Sequence, residues 1–191
     1  NKNHLTSYKS ALACDPISAF GGIVSCNFKM SKTVASELKE LFLEVIIANG
    51  FEKDALKILK KKTNLRLIDS TNYSFEEILR YVSSNEELLI QNEDLKKFSN
   101  KDFKVVSRKK PNSKQMKNLI FAFNICRYVK SNAIVLVSND STVGIGSGQP
   151  SRLDSCQIAI DKMKKFEHSK EDMVAASDAF FPFVDGIEKL V

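Results

Sequence analysis

The sequence is poor in the residues that build metal sites and disulfide frameworks. Only two histidines, His4 and His168, occur among the 191 residues, and they lie far apart. The cysteines are also scattered and form no C-x-x-C pair, which argues against a zinc site and against a disulfide framework. We therefore expect no metal in the chemistry. We also predict that the cysteines are small buried hydrophobic residues, namely Cys14, Cys26, Cys126 and Cys156.

Long apolar runs are absent as well. No stretch of about 18 consecutive apolar residues occurs, as a membrane-spanning helix would need. The N-terminal sequence NKNHLTSYKS lacks the apolar centre of a signal peptide. Tryptophan is missing, yet a composition of 43% hydrophobic and 27% charged residues is ordinary for a globular protein. We expect a folded cytoplasmic protein with no membrane segment.

The net charge is positive, +6 at pH 7, with a pI of about 9.1. The lysines are nevertheless spread over many segments and interleaved with acidic residues, and the basic runs at 60–62 and 108–110 are short. This pattern favours a solvated basic surface over a nucleic-acid groove. Anionic small-molecule substrates fit the charge equally well, so we predict no nucleic-acid partner.

Hydrophobic periodicity predicts helices that alternate with short strands. Apolar residues have helical spacing at 5–15, 31–42, 51–62, 112–129 and 151–163. Strand-like runs occur at 20–26, 44–48, 64–68, 88–91, 103–107, 133–137 and 141–145. Asn139 and Asp140 separate the last two runs and predict a hairpin. The alternation indicates an α/β fold with helices flanking a sheet, which the hairpin makes mixed rather than purely parallel.

One polar stretch, DSTNYSFEEILRYVSSN at 69–85, interrupts this alternation. Such a segment is typical of a surface excursion or of a seam between two lobes. We therefore divide the chain into a first lobe at 1–68, an irregular excursion with connecting strands at 69–110, and a second lobe with substrate-binding loops at 111–191.

Glycines alternate in the stretch GIGSGQPSRLDS, which begins at Gly144. A strand, a bare loop and a helix N-terminus in this order can bind an anion, because exposed N–H groups and the helix dipole both favour negative charge. Arg152 in the first turn of the helix strengthens such a site. The stretch matches neither the dinucleotide fingerprint nor a Walker loop, and the flanks of Ser147 are not those of a nucleophile elbow. A purely structural hairpin end explains the glycines equally well.

Two further stretches allow both a structural and a ligand-binding interpretation. In ASDAFFPFVD, the aromatic residues Phe180, Phe181 and Phe183 surround a proline. They either fill the core or, with the flanking acids, bind a flat heterocycle. In KSNA, Asn132 either caps a turn or presents its amide to a ligand at the end of a strand.

Taken together, these stretches resemble the bacterial aminoimidazole carboxamide ribonucleotide (AICAR) transformylase domain. From about Tyr8 to Val191 the chain carries, in that domain's order, DPISAFGGIV, LEVIIA, VKSNAIV, TVGIGSGQPSR and ASDAFFPFVD. The resemblance implies formyl transfer from 10-formyltetrahydrofolate to the 5-amino group of AICAR, which gives FAICAR and tetrahydrofolate in purine (IMP) biosynthesis. It also implies a homodimer with the site at its interface, and a cytidine-deaminase-like three-layer sandwich with a mixed sheet and without the zinc.

The same resemblance implies roles for individual residues. The nucleotide-contacting positions that it implies are Phe20, Gly21, Glu44, Asn132, Arg152 and Phe180. The folate-contacting positions are Leu153 and Asp185. Asn132 is expected to orient the carboxamide as a supporting residue, and a monovalent cation such as potassium is expected near Asp178. The glycine loop is expected to be bare so that substrate and a neighbouring subunit can approach.

The sequence also departs from the family pattern. The family's catalytic Lys-His pair lies in a K-H-x-x-P stretch just upstream of where this chain begins, and His4 follows Asn3 rather than a lysine. The C-terminal strands of the domain and the IMP cyclohydrolase domain have no counterpart here. We therefore expect a segment truncated at both ends, without the proton-transfer pair and inactive in isolation. The alternative is a non-catalytic nucleotide-binding or assembly module of the same fold.

Overall fold

The computed structural model describes residues 3–74 and 79–191. The α-helices in these ranges are α1 (His4–Ala13), α2 (Lys32–Leu38), α3 (Lys53–Leu59), α4 (Ser113–Cys126), α5 (Arg152–Lys165) and α6 (Asp185–Leu190). The strands are β1 (Gly22–Cys26), β2 (Leu43–Ala48), β3 (Arg66–Asp69), β4 (Leu79–Ser84), β5 (Glu87–Asn92), β6 (Ile134–Ser138), β7 (Ser141–Gly146) and β8 (Val174–Ser177). A short 3₁₀ helix covers Asn100–Asp102.

The predicted first lobe, 1–68, contains a parallel sheet in the order β1-β2-β3, whose last strand ends one residue beyond that range. Val24, Ile46 and Leu67 alternate with outward-facing neighbours and lie next to one another across the three strands. They pack with Leu38 of α2 and Leu59 of α3 in one hydrophobic core. Because the strands are parallel, β1 and β2 begin side by side at the same edge of this sheet.

The second lobe contains an antiparallel sheet in the order β7-β6-β8. β6 is buried along its whole length, as its continuous apolar run predicts. Val135 and Val137 pack with α4, whereas Ile134 and Leu136 pack with α5. A helix therefore covers each face of this sheet, and the two faces of β6 belong to different hydrophobic clusters.

Local side-chain and backbone features fix the ends of several elements, among them the predicted hairpin turn. Ser31 caps α2 through its side chain, which accepts a hydrogen bond from the Val34 N–H group. Asn112 and Gln115 form a reciprocal capping box at the start of α4. Asn139 and Asp140 have positive φ angles of 50° and 59°, the left-handed geometry of a tight two-residue hairpin turn.

The predicted mixed sheet is wrong for the described residues. The parallel strands and the antiparallel strands lie in separate sheets. β6 has β7 on one side and β8 on the other, both antiparallel, so no position beside it remains for a parallel strand. The described residues form an α/β structure with three small sheets, and the specific cytidine-deaminase-like sandwich stays a prediction.

The excursion at 69–110 is more regular than its polar composition suggests. β4 and β5 pair with each other in an antiparallel hairpin around Asn85, which has a positive φ of 51°. Every residue of both strands is exposed. The hairpin is therefore stabilised mainly by its own strand pairing, which composition alone does not reveal. Residues 75–78 of the same polar stretch lie outside the described ranges.

The strand predicted at 103–107 is not found. Phe103 instead packs on Phe98 and on Phe123 of α4, with ring centroids 6.1 and 5.3 Å away. Val106, in the same run, is 87% exposed. The β-branched run has no strand beside it in the described part of the chain, and the aromatic contact with α4 determines its position.

The prediction for the cysteines is confirmed, since all four are free and buried. Burial raises the pKa of the Cys126 thiol to about 11, so the group is neutral at physiological pH. Within residues 3–74 and 79–191, no cluster of His, Cys, Asp and Glu is arranged to hold a metal ion. None of the helices in these ranges has the length and apolar character needed to cross a bilayer.

Candidate functional site

The residues singled out in the sequence fall into two groups in the structure. The first group, Phe20, Gly21 and Glu44, lies where β1 and β2 begin. The second group surrounds the start of α5, with Asn132 and Phe180 at the neighbouring ends of β6 and β8. In the described part of the chain, no hydrogen bond, ion pair or ring contact joins the two groups.

An ion pair between Arg152 and Asp178 forms the centre of the second group. Arg152 Nη1 lies 2.5 Å from Asp178 Oδ1 and donates to Ser177 Oγ over 2.8 Å. Arg152 Nη2 donates to Asn132 Oδ1 over 2.6 Å. Only 14% and 16% of the two charged side chains are exposed, so the pair is shielded from water far more than a surface ion pair.

The register of the second sheet brings these residues together. β8 pairs with β6 so that Ser177 lies opposite Ile134. Asp178 directly follows β8, and Asn132 lies two residues before the first residue of β6. The Asp178 carboxylate accepts the Ala133 N–H group over 3.1 Å, which extends this pairing past the end of the ladder.

Asp178 is ionised and its oxygens are occupied by groups of the chain. Burial by itself raises the pKa of this carboxyl group, but hydrogen bonds from Ser131, Arg152 and Ala133 outweigh burial and hold the pKa below its usual value. Oδ1 accepts from Arg152 and Ala133, and Oδ2 accepts from the Ser131 hydroxyl. These three donors use most of the acceptor positions of the carboxylate, so it is not poised to act as a general base. A potassium ion near Asp178 stays a prediction.

The Asn132 amide is used within the chain. Its Nδ2 donates to the carbonyl oxygens of Gln149 and Pro150, each over 2.9 Å, while its Oδ1 accepts from Arg152. The Asn132 carbonyl accepts the Ser155 hydroxyl over 2.7 Å. Both amide hydrogens therefore bond the loop that precedes α5, and the side chain links Arg152 to this loop.

The alternating glycines have two different explanations. A Cβ on Gly144 would lie 2.2 Å from the Ala159 carbonyl oxygen, and one on Gly146 would lie 1.9 Å from that of Ser155. These positions are bare because α5 packs directly on β7, so the expected approach of substrate or a second subunit is wrong for both. Gly148 differs: its φ is +69°, and the nearest atom to a Cβ, from Lys130, is 3.9 Å away.

The aromatic stretch divides between core and surface. Phe181 packs beneath α6, where it closely approaches Gly186, and the Arg152 guanidinium lies 5.9 Å from its ring centroid. Phe180 and Phe183 are 80% and 72% exposed. Only Phe181 is thus part of the core, and Phe180, two residues beyond Asp178 in the sequence, presents an exposed ring.

Leu153 and Asp185 lie on two helices that contact each other. Leu153 is partly buried in the first turn of α5. Asp185 is exposed at the start of α6, and its carboxylate accepts the neighbouring Gly186 N–H group over 2.7 Å. Lys189 of α6 donates to Gln157 of α5 over 2.9 Å, which fastens the two helices together.

The first group is held by contacts between the starts of the strands. Gly21 has a φ of +71° and donates its N–H group to the Phe42 carbonyl over 2.9 Å. The Phe20 ring, which is 72% exposed, lies 5.0 Å from the Phe42 ring. Glu44 accepts a hydrogen bond of 2.8 Å from Arg66 at the start of β3. Phe42 and Arg66 gave no sequence signal of their own, because strand pairing alone makes them neighbours of these residues.

The second group combines three features that suit a binding site. It offers a guanidinium with N–H donors beyond those used in the chain, a loop with a positive-φ glycine, and an exposed aromatic ring. A cation and an aromatic face suit an anionic or flat heteroaromatic ligand. The sequence singled out Arg152 and Phe180, but it did not indicate that Ser131 and Ser177 complete the cluster.

Comparison with known proteins gives a consistent result. Residues 1–162 match the family described as AICARFT/IMPCHase bienzyme. The chain is 43% identical over 190 residues to the bifunctional purine biosynthesis protein PurH of Parvibaculum lavamentivorans. That alignment covers 95% of this chain and 35% of the relative. It is 43% and 40% identical, each over 182 residues, to the proteins of that name from Fusobacterium nucleatum and Aquifex aeolicus. Both alignments cover 95% of this chain, which spans about a third of these relatives' length.

Proposed function

Because the chain belongs to the AICARFT/IMPCHase bienzyme family, we propose that it is part of a cytoplasmic enzyme that formylates AICAR. In the reaction, the 5-amino group of AICAR attacks the formyl carbon of 10-formyltetrahydrofolate. The bond between the formyl carbon and N10 of the folate breaks as the new C–N bond forms. The amine loses one proton and N10 gains one, which gives FAICAR and tetrahydrofolate. The residues of this chain supply the binding surface for the two substrates.

The shielded Arg152 guanidinium is the observation that carries this proposal. It is held by Asp178 and Asn132 yet keeps further N–H donors for an anionic or carbonyl-bearing ligand. In this proposal the exposed ring of Phe180, two residues beyond Asp178 in the sequence, covers the flat imidazole of AICAR. Leu153 and Asp185, on the adjoining flank of α5 and α6, border the folate.

The first group completes the site from a second copy of the chain. Phe20, Gly21 and Glu44 make no contact with the Arg152 group within one copy, as far as the described residues extend. A homodimer that apposes one copy's first group to the other copy's second group brings all of them around one nucleotide. This arrangement satisfies the roles that the family resemblance implies and explains why Phe20 and Phe180 are both exposed.

Asn132 acts in this proposal by holding Arg152 rather than by touching the carboxamide. Its amide hydrogens are engaged by Gln149 and Pro150. The proton that leaves the attacking amine is taken by residues other than these, since no Lys-His pair occurs in the sequence and Asp178 is held as a neutralised carboxylate. We therefore propose that the 191-residue chain alone is inactive or nearly so.

The test is tetrahydrofolate production from 10-formyltetrahydrofolate and AICAR. The 191-residue chain is compared with the same chain extended to the full length typical of its relatives, with folding of both checked by circular dichroism. Turnover only in the extended protein supports the proposal. Silence of both, with intact folding and measurable AICAR binding by calorimetry, supports the alternative of a non-catalytic nucleotide-binding module.

A further inference from the structure

The loop between α1 and β1, residues 15–21, presents Phe20 and Gly21 and is mostly exposed. Ile17 is 63% exposed and Phe20 is 72% exposed. Its backbone is a succession of turns, in which Phe20 N–H bonds the Ile17 carbonyl and Gly22 N–H bonds the Ala19 carbonyl. A loop with so few apolar contacts depends on polar anchors for its conformation.

Asp15 is the anchor at the beginning of this loop. Its Oδ1 accepts the Ser18 N–H group over 3.0 Å, and its Oδ2 accepts the Ser18 hydroxyl over 2.8 Å. Oδ2 also lies 2.6 Å from the ammonium group of Lys162. The Asp15 side chain is only 19% exposed, so this ion pair is partly shielded from solvent. One carboxylate thus shapes the first turn of the loop and ties it to α5.

Lys162 connects this anchor to the second group. It lies on the same helix as Arg152, ten residues further along, which is about 15 Å on an α-helix. α5 packs firmly on the sheet, because its residues Cys156, Ala159 and Met163 are buried against β6 and β7. In the described residues, Asp15–Lys162 is the one ion pair that joins the first lobe to the second lobe.

We propose that Asp15, through its ion pair with Lys162, is a positioning residue that fixes the Phe20–Gly21 loop relative to α5. This inference rests on the proposed function, since it assigns the loop to nucleotide binding. The pair sets where one substrate-contacting loop lies on a rigid helix whose other end carries Arg152. In a homodimer, each subunit thereby holds its two half-sites at a fixed separation.

The test uses the complete protein with Asp15→Asn, which keeps an acceptor for the Ser18 N–H group but removes the charge. Lys162→Met removes the other partner, and Lys162→Arg keeps the ion pair. Glu37→Gln serves as the matched control, because it breaks the exposed Lys9–Glu37 pair of the same lobe. Steady-state kinetics with each substrate varied are combined with hydrogen exchange of the backbone N–H groups at 18–22.

We expect Asp15→Asn and Lys162→Met each to raise the KM for AICAR about tenfold, with the KM for 10-formyltetrahydrofolate unchanged. The double variant Asp15→Asn with Lys162→Met should have a KM for AICAR no higher than that of either single variant, because both substitutions remove the same contact. Exchange at 18–22 should quicken in both, while exchange in β6 stays slow. Lys162→Arg and Glu37→Gln should resemble the unsubstituted protein in both measurements.

Two results would overturn the inference. One is unchanged exchange at 18–22 in both variants. The other is faster exchange with an unchanged KM for AICAR in an active protein. Failure of the proposed function is distinguishable, because the unsubstituted protein would then neither bind AICAR nor turn over. In that case the exchange measurement alone decides whether the Asp15–Lys162 pair holds the loop.

Discussion

Asn132 and Arg152 are joined by a hydrogen bond of 2.6 Å across 20 positions of sequence. The contact forms because Asn132 lies just before β6 and Arg152 begins α5. The glycine loop after β7 returns the chain to the same end of the sheet. Within the chain, the amide that the sequence suggested as a ligand contact links two parts of the site. It joins the guanidinium on one side to the carbonyl oxygens of Gln149 and Pro150 on the other.

Replacing Arg152 by Ala should weaken AICAR binding at least about tenfold and also destabilise the protein. Destabilisation follows because Asp178, only 16% exposed, is left as an unpaired charge. The double variant Arg152→Ala with Asp178→Asn removes that charge and should recover most of the stability but none of the affinity. Calorimetry and thermal unfolding of the complete protein measure both effects. Full affinity in the stable double variant would exclude Arg152 from the binding site.

The Asn132→Asp variant should have a lower melting temperature than the Asn132→Ala variant. Asp keeps the partner for Arg152, but it directs a carboxylate oxygen at the Gln149 and Pro150 carbonyls in place of an N–H donor. Faster hydrogen exchange at Gly148, together with a lower melting temperature for Asp than for Ala, is the expected pattern. If Asp and Ala variants are equally stable while AICAR binding is lost in both, the amide contacts the nucleotide directly.

Replacing Gly146 by Ala should prevent stable folding, whereas Gly148→Ala should be tolerated. The new methyl group at 146 would meet the Ser155 carbonyl at 1.9 Å, which forces β7 and α5 apart. At 148 the space is open and only the positive φ is strained, at a cost of about 1 kcal/mol. Soluble expression and melting temperature of the complete protein distinguish the two. Equal behaviour of the two variants would contradict the packing explanation for Gly146.

Asp15 should make stability depend on pH in the acid range. Burial alone raises the pKa of this carboxyl group, but hydrogen bonds from Lys162 and Ser18 lower it to about 2, against an ordinary value of 3.8. A folded-state pKa below the unfolded one contributes stability that is complete above about pH 5 and is lost as pH falls through the folded pKa of about 2. The contribution at neutral pH is on the order of 2 kcal/mol.

The measurement compares unfolding of the unsubstituted protein and of Asp15→Asn between pH 7 and pH 2. The difference in unfolding free energy between the two should be constant above about pH 5 and should shrink towards zero at the acid end. A difference that stays constant down to pH 2 would show that the Asp15 charge is not stabilised by its partners.

The sequence determined the local elements where a single segment contains the whole signal. The capping residues Asn112 and Gln115, the turn at Asn139 and Asp140, and the apolar run of β6 each specify an element through contacts within a few positions. The strand predicted at 103–107 is absent because Phe103 packs on Phe98 and Phe123 and the segment pairs with no strand. A β-branched run predicts a strand only where another strand is available to pair with it.

Motifs and periodicity are properties of short stretches, so the family and most helices and strands follow from the sequence alone. The packing of whole elements was needed to show that Asp178 neutralises Arg152, that α5 is the reason for the bare Gly144 and Gly146, and that Asp15 reaches Lys162. Each of these contacts joins residues brought together by strand register or helix packing. Such contacts depend on where whole elements lie in space, which no single stretch of sequence specifies.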